Sequence, residues 1–181
     1  MARQTKLYIY DRSSEIDRDQ ASGRFSDDGD VFTIGIDHGI LNLKKVFEGL
    51  VGSGYKFNHL LFQTHGSPGR IWFGNESVTA NVLKSDFVGF TSLFPHPTRI
   101  YFDGCNVAEG GDGTNFLLAA GNVFLVAGGG ETLGWTTLGH GVWGRIPIIG
   151  GHTLHFGGEN TLKRVRFFRG GAPDFPDSWL P

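Results

Sequence analysis

The chain is nearly devoid of cysteine: Cys105 is the only one in 181 residues. A single thiol excludes an internal disulfide, so the fold has to stand on packing and the thiol is left available for chemistry. Charge of one sign is lacking too, since 16 Lys and Arg stand against 18 Asp and Glu for a formal net charge of −2. The basic residues are scattered, and Arg164, Arg166 and Arg169 are the nearest approach to a cluster, so no nucleic-acid partner is expected. No apolar run approaches the ~20 residues of a membrane span, and Met1-Ala-Arg-Gln-Thr-Lys leads into strand-like sequence without a signal-peptide apolar region. A cytoplasmic protein with no membrane partner is therefore expected, export without a cleaved signal being the other route. Nucleotide and metal motifs are also missing. Gly128-Gly-Gly-Glu-Thr-Leu-Gly134 lacks the GK[ST] ending and any lysine; Glu109-Gly-Gly-Asp112-Gly-Thr has too few carboxylates for an EF-hand loop. His152 and His155, three apart on a strand, face opposite sides and make a poor metal pair. No cofactor and no metal site follow from this reading.

Glycine, by contrast, is abundant, with 29 residues spread along the whole chain, often after apolar runs. Glycine adopts positive φ without steric cost, so this pattern predicts many tight strand-to-helix turns rather than one flexible linker. The length suits one domain over residues 1–181, with no internal repeat. Lys6–Tyr10 reads as a strand ending at Asp11, followed by a polar surface loop over 11–30. Val31–Ile36 is a second strand, and Asn42 caps a helix through Val51 with Leu43, Val46, Phe47 and Leu50 on one face. Leu60–Thr64 is a strand, Gly66–Gly69 a turn, and Arg70–Gly74 a short hairpin strand. Thr79 or Asn81 opens the next helix, Pro95 and Pro97 close the connection, and Arg99–Asp103 is a strand. A helix over about 114–120 and a buried strand over Asn122–Ala127 follow. Beyond Gly128 the helical period disappears: Gly134-Trp-Thr-Thr-Leu and Arg145–Ile149 read as loop or edge, 152–156 with 162–168 as a terminal hairpin, and 173–181 as an irregular tail. The alternation of strands and helices over 31–127 predicts an α/β fold, a mainly parallel sheet with helices on both faces.

Two stretches share one shape. Leu60-Leu-Phe-Gln-Thr-His65-Gly66 and Arg99-Ile-Tyr-Phe-Asp-Gly-Cys105 are each an apolar strand, a reactive side chain and a glycine at the strand end. Open α/β sheets carry their sites at the C-terminal ends of strands, so neighbouring strands of this kind bring an imidazole to a thiol. His38 and His140, each followed by glycine, are rival partners for the thiol, whereas His59 and His96 read as turn or surface residues. Trp72, Trp135, Trp143 and Trp179 read equally well as core and as groove aromatics.

The Phe62-Gln-Thr-His65-Gly66 block, followed by Ile100-Tyr-Phe-Asp-Gly-Cys105, resembles the two blocks that carry the dyad in caspase-like cysteine peptidases: caspases, metacaspases, gingipains, separases and bacterial CHAT-type domains. Gly104-Cys-Asn-Val-Ala108, the glycines after it, Asn115–Ala119 and Val123–Ala127 are similar to the bacterial, CHAT-like branch, and the likeness covers roughly 58–130. The resemblance implies a three-layer α/β/α sandwich and a cysteine endopeptidase acting on a protein or peptide. In it Cys105 is the nucleophile, His65 the general base or acid, and the backbone N–H groups of Gly66 and Cys105 the oxyanion hole. It also implies that Asp103, two positions before the thiol, lines a pocket selecting Arg or Lys, with Asp11 or Asp37 as a second acid. The caspase signature around the thiol is absent, so aspartate specificity does not follow, and no Asp or Asn orienter for His65 stands out. A catalytically silent, protein-binding module is the alternative, and a hydrolase or acyltransferase for a non-peptide substrate a third reading.

Overall fold

The computed structural model describes residues 5–13, 31–37, 39–136, 142–146, 152–155 and 162–174. In chain order they form β1 (Thr5–Asp11), β2 (Val31–Ile36), α1 (Gly39–Gly52), β3 (Phe57–Gln63), β4 (Gly66–Ser67), β5 (Arg70–Phe73), β6 (Glu76–Thr79), α2 (Ala80–Asp86), a 3-10 turn (Phe90–Leu93), β7 (Thr98–Asp103), α3 (Gly110–Phe124), β8 (Gly130–Trp135), β9 (Val142–Ile146), β10 (His152–His155), β11 (Leu162–Phe167) and β12 (Pro173–Asp174). Seven strands make the main sheet in the order β12-β11-β8-β7-β3-β1-β2. The five from β2 to β8 are mutually parallel, and β11 closes the sheet antiparallel to β8. The first five sheet strands thus follow the doubly wound order 2-1-3-4-5, and the C-terminal ends of β1, β2, β3, β7 and β8 share one rim.

Strand alternation divides the sheet into two unlike faces. Leu7 and Ile9 of β1, Leu60 and Phe62 of β3, and Ile100 and Phe102 of β7 join one apolar cluster with Leu43, Phe47 and Leu50 of α1, Leu83 of α2 and Phe116, Leu117 and Phe124 of α3. Phenylalanine dominates it. Phe62 stacks on Phe102 with ring centroids 5.3 Å apart, and Phe116 meets Phe102 edge-on at 4.8 Å. Each such ring contributes about 1.5–3 kcal/mol through burial alone. The opposite face carries Tyr8, Tyr10, Leu61, Tyr101 and Leu133. All three described helices pack on the first face, so the sandwich has one helical layer among the described residues, not the two expected.

Several elements differ from the sequence reading for identifiable reasons. Helix α1 begins at Gly39 rather than at an Asn42 cap, because the Glu76 carboxylate, far away in sequence, accepts the Ile40 N–H at 2.8 Å and supplies the cap. Thr79, one of the two candidates, is the N-cap of α2, its Oγ1 accepting from Val82 N at 3.4 Å. Helix α3 runs on through Phe124, so 122–127 is not a strand: Val123 and Phe124 are the helix's own core-facing residues, and Leu125 is its C-cap. The strand lies later, at β8, where the sequence suggests an edge or loop. It is entered through Gly129 and Gly130 at φ +72° and +132°, and a Cβ on Gly129 would stand 2.9 Å from the Phe167 carbonyl. Finally, β10 pairs antiparallel with β9, and β11 with β8 and β12, so 152–156 and 162–168 do not form the expected hairpin among the described residues. The loop over 14–30 and the tail beyond 174 lie outside the described residues.

Candidate active site

Strands β3 and β7 are parallel neighbours near the middle of the sheet, in a register that ends with Gln63 opposite Asp103. Thr64 N donates to the Asp103 carbonyl at 3.4 Å, so the ladder carries on past the formal strand ends. Past Thr64 the two chains stay in backbone contact, which leaves His65 and Cys105 at the same end of adjacent strands. Glycine makes the approach possible. A Cβ on Gly66 would lie 2.7 Å from the Cys105 carbonyl oxygen, and one on Gly104 would lie 3.0 Å from Gly66 Cα, so neither position accepts a side chain without displacing backbone.

The backbone of His65 is pinned while its ring is exposed. Its carbonyl accepts from Trp72 N at 3.0 Å and from Thr64 Oγ1 at 2.8 Å, which ties it to the small β4-β5-β6 sheet. Because the Trp72–His65 bond makes those two a hydrogen-bonded antiparallel pair, the next pair, Gly66 with Ile71, is the non-hydrogen-bonded kind. The Gly66 N–H is therefore turned away from β5, on the side of Gly104 and Cys105.

Cys105 is partly buried and opens a turn over 105–108. Strand alternation ends at Asp103, so it does not set the side that Cys105 takes relative to Asp103. The turn is anchored on both flanks: Gly69 N donates to Val107 O at 3.0 Å from the His65 hairpin, and Ala108 N to Trp135 O at 2.8 Å on β8. Val107 and Ala108 are fully buried, which fixes the loop against the core. Among the described residues no hydrogen bond engages the Cys105 N–H, and none joins the thiol to the His65 ring.

The three candidate acids are not brought together. Asp103 belongs to the tyrosine-lined face, where its Oδ1 accepts the indole N–H of Trp135 at 3.1 Å. Asp11 shares its parity with Leu7 and Ile9 and so points to the helical face. It is 2 % exposed, with Oδ1 accepting from Ser13 N at 3.0 Å and Ser13 Oγ at 2.7 Å and Oδ2 accepting from Gly74 N at 3.2 Å. This carboxylate clamps the tip of the β5-β6 hairpin to the end of β1. Asp37 is exposed and pairs with Arg12 at 3.0 Å. Asp11 and Asp37 thus hold structure or face solvent, and only Asp103 stands next to the thiol's strand end.

The rival His38 and His140 lie outside the described residues, as does Trp179. His59 is in mid-strand rather than in a turn; desolvation, then the nearby Lys6 and Arg99 charges, hold its pKa down at about 4. His96 is exposed in the connection before β7. Two residues at the site have a place the sequence does not announce. Trp135, read there as a core or a groove aromatic, is 5 % exposed, and its bond to Asp103 is hidden because the sequence of β8 reads as loop. Asn106 has φ +57°, the only positive value at a non-glycine residue among those described, and nothing in the local sequence announces it. Among the described residues no group of three His, Cys, Asp or Glu side chains is placed to hold a metal ion, and no helix is long and apolar enough to cross a membrane. No protein-family model matches the chain, and comparison with curated proteins gives no match either.

Proposed function

We propose that the chain is a caspase-like cysteine endopeptidase in which Cys105 attacks a peptide carbonyl and His65 moves the proton. One observation carries this reading: β3 and β7 run side by side in a register that leads to His65 and Cys105 at one rim, with Gly66 and Gly104 in backbone contact between them. A nucleophile needs a base beside it and donors for the developing oxyanion. The Gly66 and Cys105 N–H groups, neither committed to β5 or to a loop bond, are those donors. Asp103 is the acid that gives the primary pocket its preference for Arg or Lys, and Trp135 sets its orientation from the neighbouring strand. The reading is tested with fluorogenic peptides ending in Arg, Lys or Asp. Hydrolysis of the Arg and Lys peptides, abolished by Cys105→Ala and reduced at least a hundredfold by His65→Ala, is the expected result. Preference for Asp peptides removes the role given to Asp103.

A second reading, a catalytically silent protein-binding module of the same fold, is favoured by two features. The His65 ring makes no hydrogen bond to the thiol, and the Asp103 carboxylate is already engaged by Trp135. Absence of any turnover, together with a Cys105 that is alkylated only after unfolding, is its signature.

A further inference from the structure

Eleven described residues have positive φ, and ten of them are glycines; Asn106, directly after the thiol, is the exception. Asparagine tolerates the left-handed region better than most L-residues but still less well than glycine. A chain this rich in glycine would reach the same turn more easily with glycine at this position, so the carboxamide has to contribute something that offsets the cost. It contributes nothing visible to the fold: Oδ1 is buried with no hydrogen-bond partner, which itself costs stability. Only the backbone carbonyl of Asn106 is used, accepting from Glu109 N at 2.9 Å to close the turn into α3. The residue as a whole is only partly buried, and Nδ2, unlike Oδ1, is not among the buried polar atoms left without a partner. Strained backbone and an unsatisfied polar group on one residue, next to a candidate nucleophile, mark a functional position.

We infer that the Asn106 side chain is a catalytic hydrogen-bond donor, its Nδ2 amide binding the substrate carbonyl oxygen alongside the Gly66 and Cys105 N–H groups. The inference rests on the peptidase reading and adds a residue to its machinery. In the addition step the sulfur–carbon bond forms, the carbonyl π pair moves onto oxygen, and the thiol proton passes to His65. The oxygen, now negative, takes its strongest hydrogen bonds at that moment. A preorganised side-chain amide in such a position supplies a factor of about 10²–10³ in rate.

Two probes separate this role from a structural one. Iodoacetamide alkylates sulfur by displacement and develops no oxyanion, whereas a peptidyl-arginine aldehyde adds to the thiol as a carbonyl and does. In Asn106→Gly, which keeps the positive φ without strain, iodoacetamide should alkylate Cys105 within about threefold of the wild-type rate, at a Tm no lower than that of the wild type. The aldehyde should bind at least tenfold more weakly, and kcat on the Arg peptide should fall about a hundredfold. Asn106→Asp, similar in shape but with an acceptor in place of the amide, should behave like Asn106→Gly towards the aldehyde. Equal aldehyde affinity in wild type and Asn106→Gly overturns the inference while leaving the dyad standing. Parallel losses towards both probes overturn it in favour of loop positioning. Alkylation that is the same in wild type and His65→Ala overturns the peptidase reading itself, and the inference with it.

Discussion

The two faces of the sheet are built on different principles although they share every strand. The helical face is dry and aromatic, with Phe47, Phe57, Phe62, Phe73, Phe87, Phe94, Phe102, Phe116 and Phe124 almost wholly buried. The other face buries polar groups and pairs them: the Tyr8 hydroxyl bonds Gln63 Oε1, Glu131 pairs with Arg99 and with Arg164 at 3.3 Å, and Asp103 accepts from Trp135. Nonpolar packing tolerates no chemistry, because an unpaired polar atom there costs too much. The polar face already supplies the paired side chains that a rim needs. Gln63 and Asp103, the last strand residues before His65 and Cys105, both belong to it. The polar face thus reaches up to the rim at which the candidate site lies.

The contrast can be broken at single positions. The largest effect is expected at Phe102, which stacks on Phe62 and is met edge-on by Phe116: Phe102→Ala should cost about 3–5 kcal/mol in urea unfolding, with no change in its pH dependence. A loss below about 1 kcal/mol would mean the aromatic face is not the principal core. A smaller effect is expected at Glu131, whose carboxylate is buried between two partly exposed arginines. Glu131→Gln should cost about 1–2 kcal/mol by the same measurement, since the charge is lost but the shape is kept.

The smallest is a pH effect confined to the polar face. Desolvation holds His59 near pKa 4, below the ~6.5 of an unfolded chain. The unfolded state therefore binds the extra proton first, so this contribution to stability is complete above about pH 6.5 and is lost as pH falls towards 4. Because the ring is only half buried, a loss of about 1 kcal/mol, ~2–4 °C in Tm, is the reasonable size. His59→Gln should remove that slope between pH 6.5 and 4, and thermal melts across the window check it. An unchanged slope would mean that other groups carry the acid sensitivity.

Which parts of this are legible in the sequence follows from how local their causes are. The strands β1, β2, β3 and β7 stand out because each is a short apolar run stopped by a polar or glycine residue, a signal complete within about ten residues. The same holds for the His65 and Cys105 blocks, and for Thr79 as a cap. The causes that are not legible act from a distance. Glu76 caps α1 from another element, so Asn42 reads as the cap in its place. The run Val123-Phe-Leu-Val126 is as apolar as a strand, yet its first two residues end α3 and the next two leave it, and the helix is held there by packing: a Cβ on Gly121 would stand 2.0 Å from the Phe167 ring. With a strand expected there, β8 is lost to sequence reasoning, and with it the bond from Trp135 to Asp103. His59 reads as a turn residue because polar residues on this sheet alternate into a buried face instead of marking turns.

The claim on which the rest turns is that Cys105 and His65 act as one unit at the rim between β3 and β7. It is tested most directly by the rate at which iodoacetamide alkylates Cys105 in the folded protein at neutral pH, read by mass spectrometry of the Cys105 peptide. The account predicts alkylation of the native thiol that slows at least tenfold in His65→Ala at unchanged Tm. Identical rates in the two proteins, or a thiol that reacts only in denaturant, would contradict it.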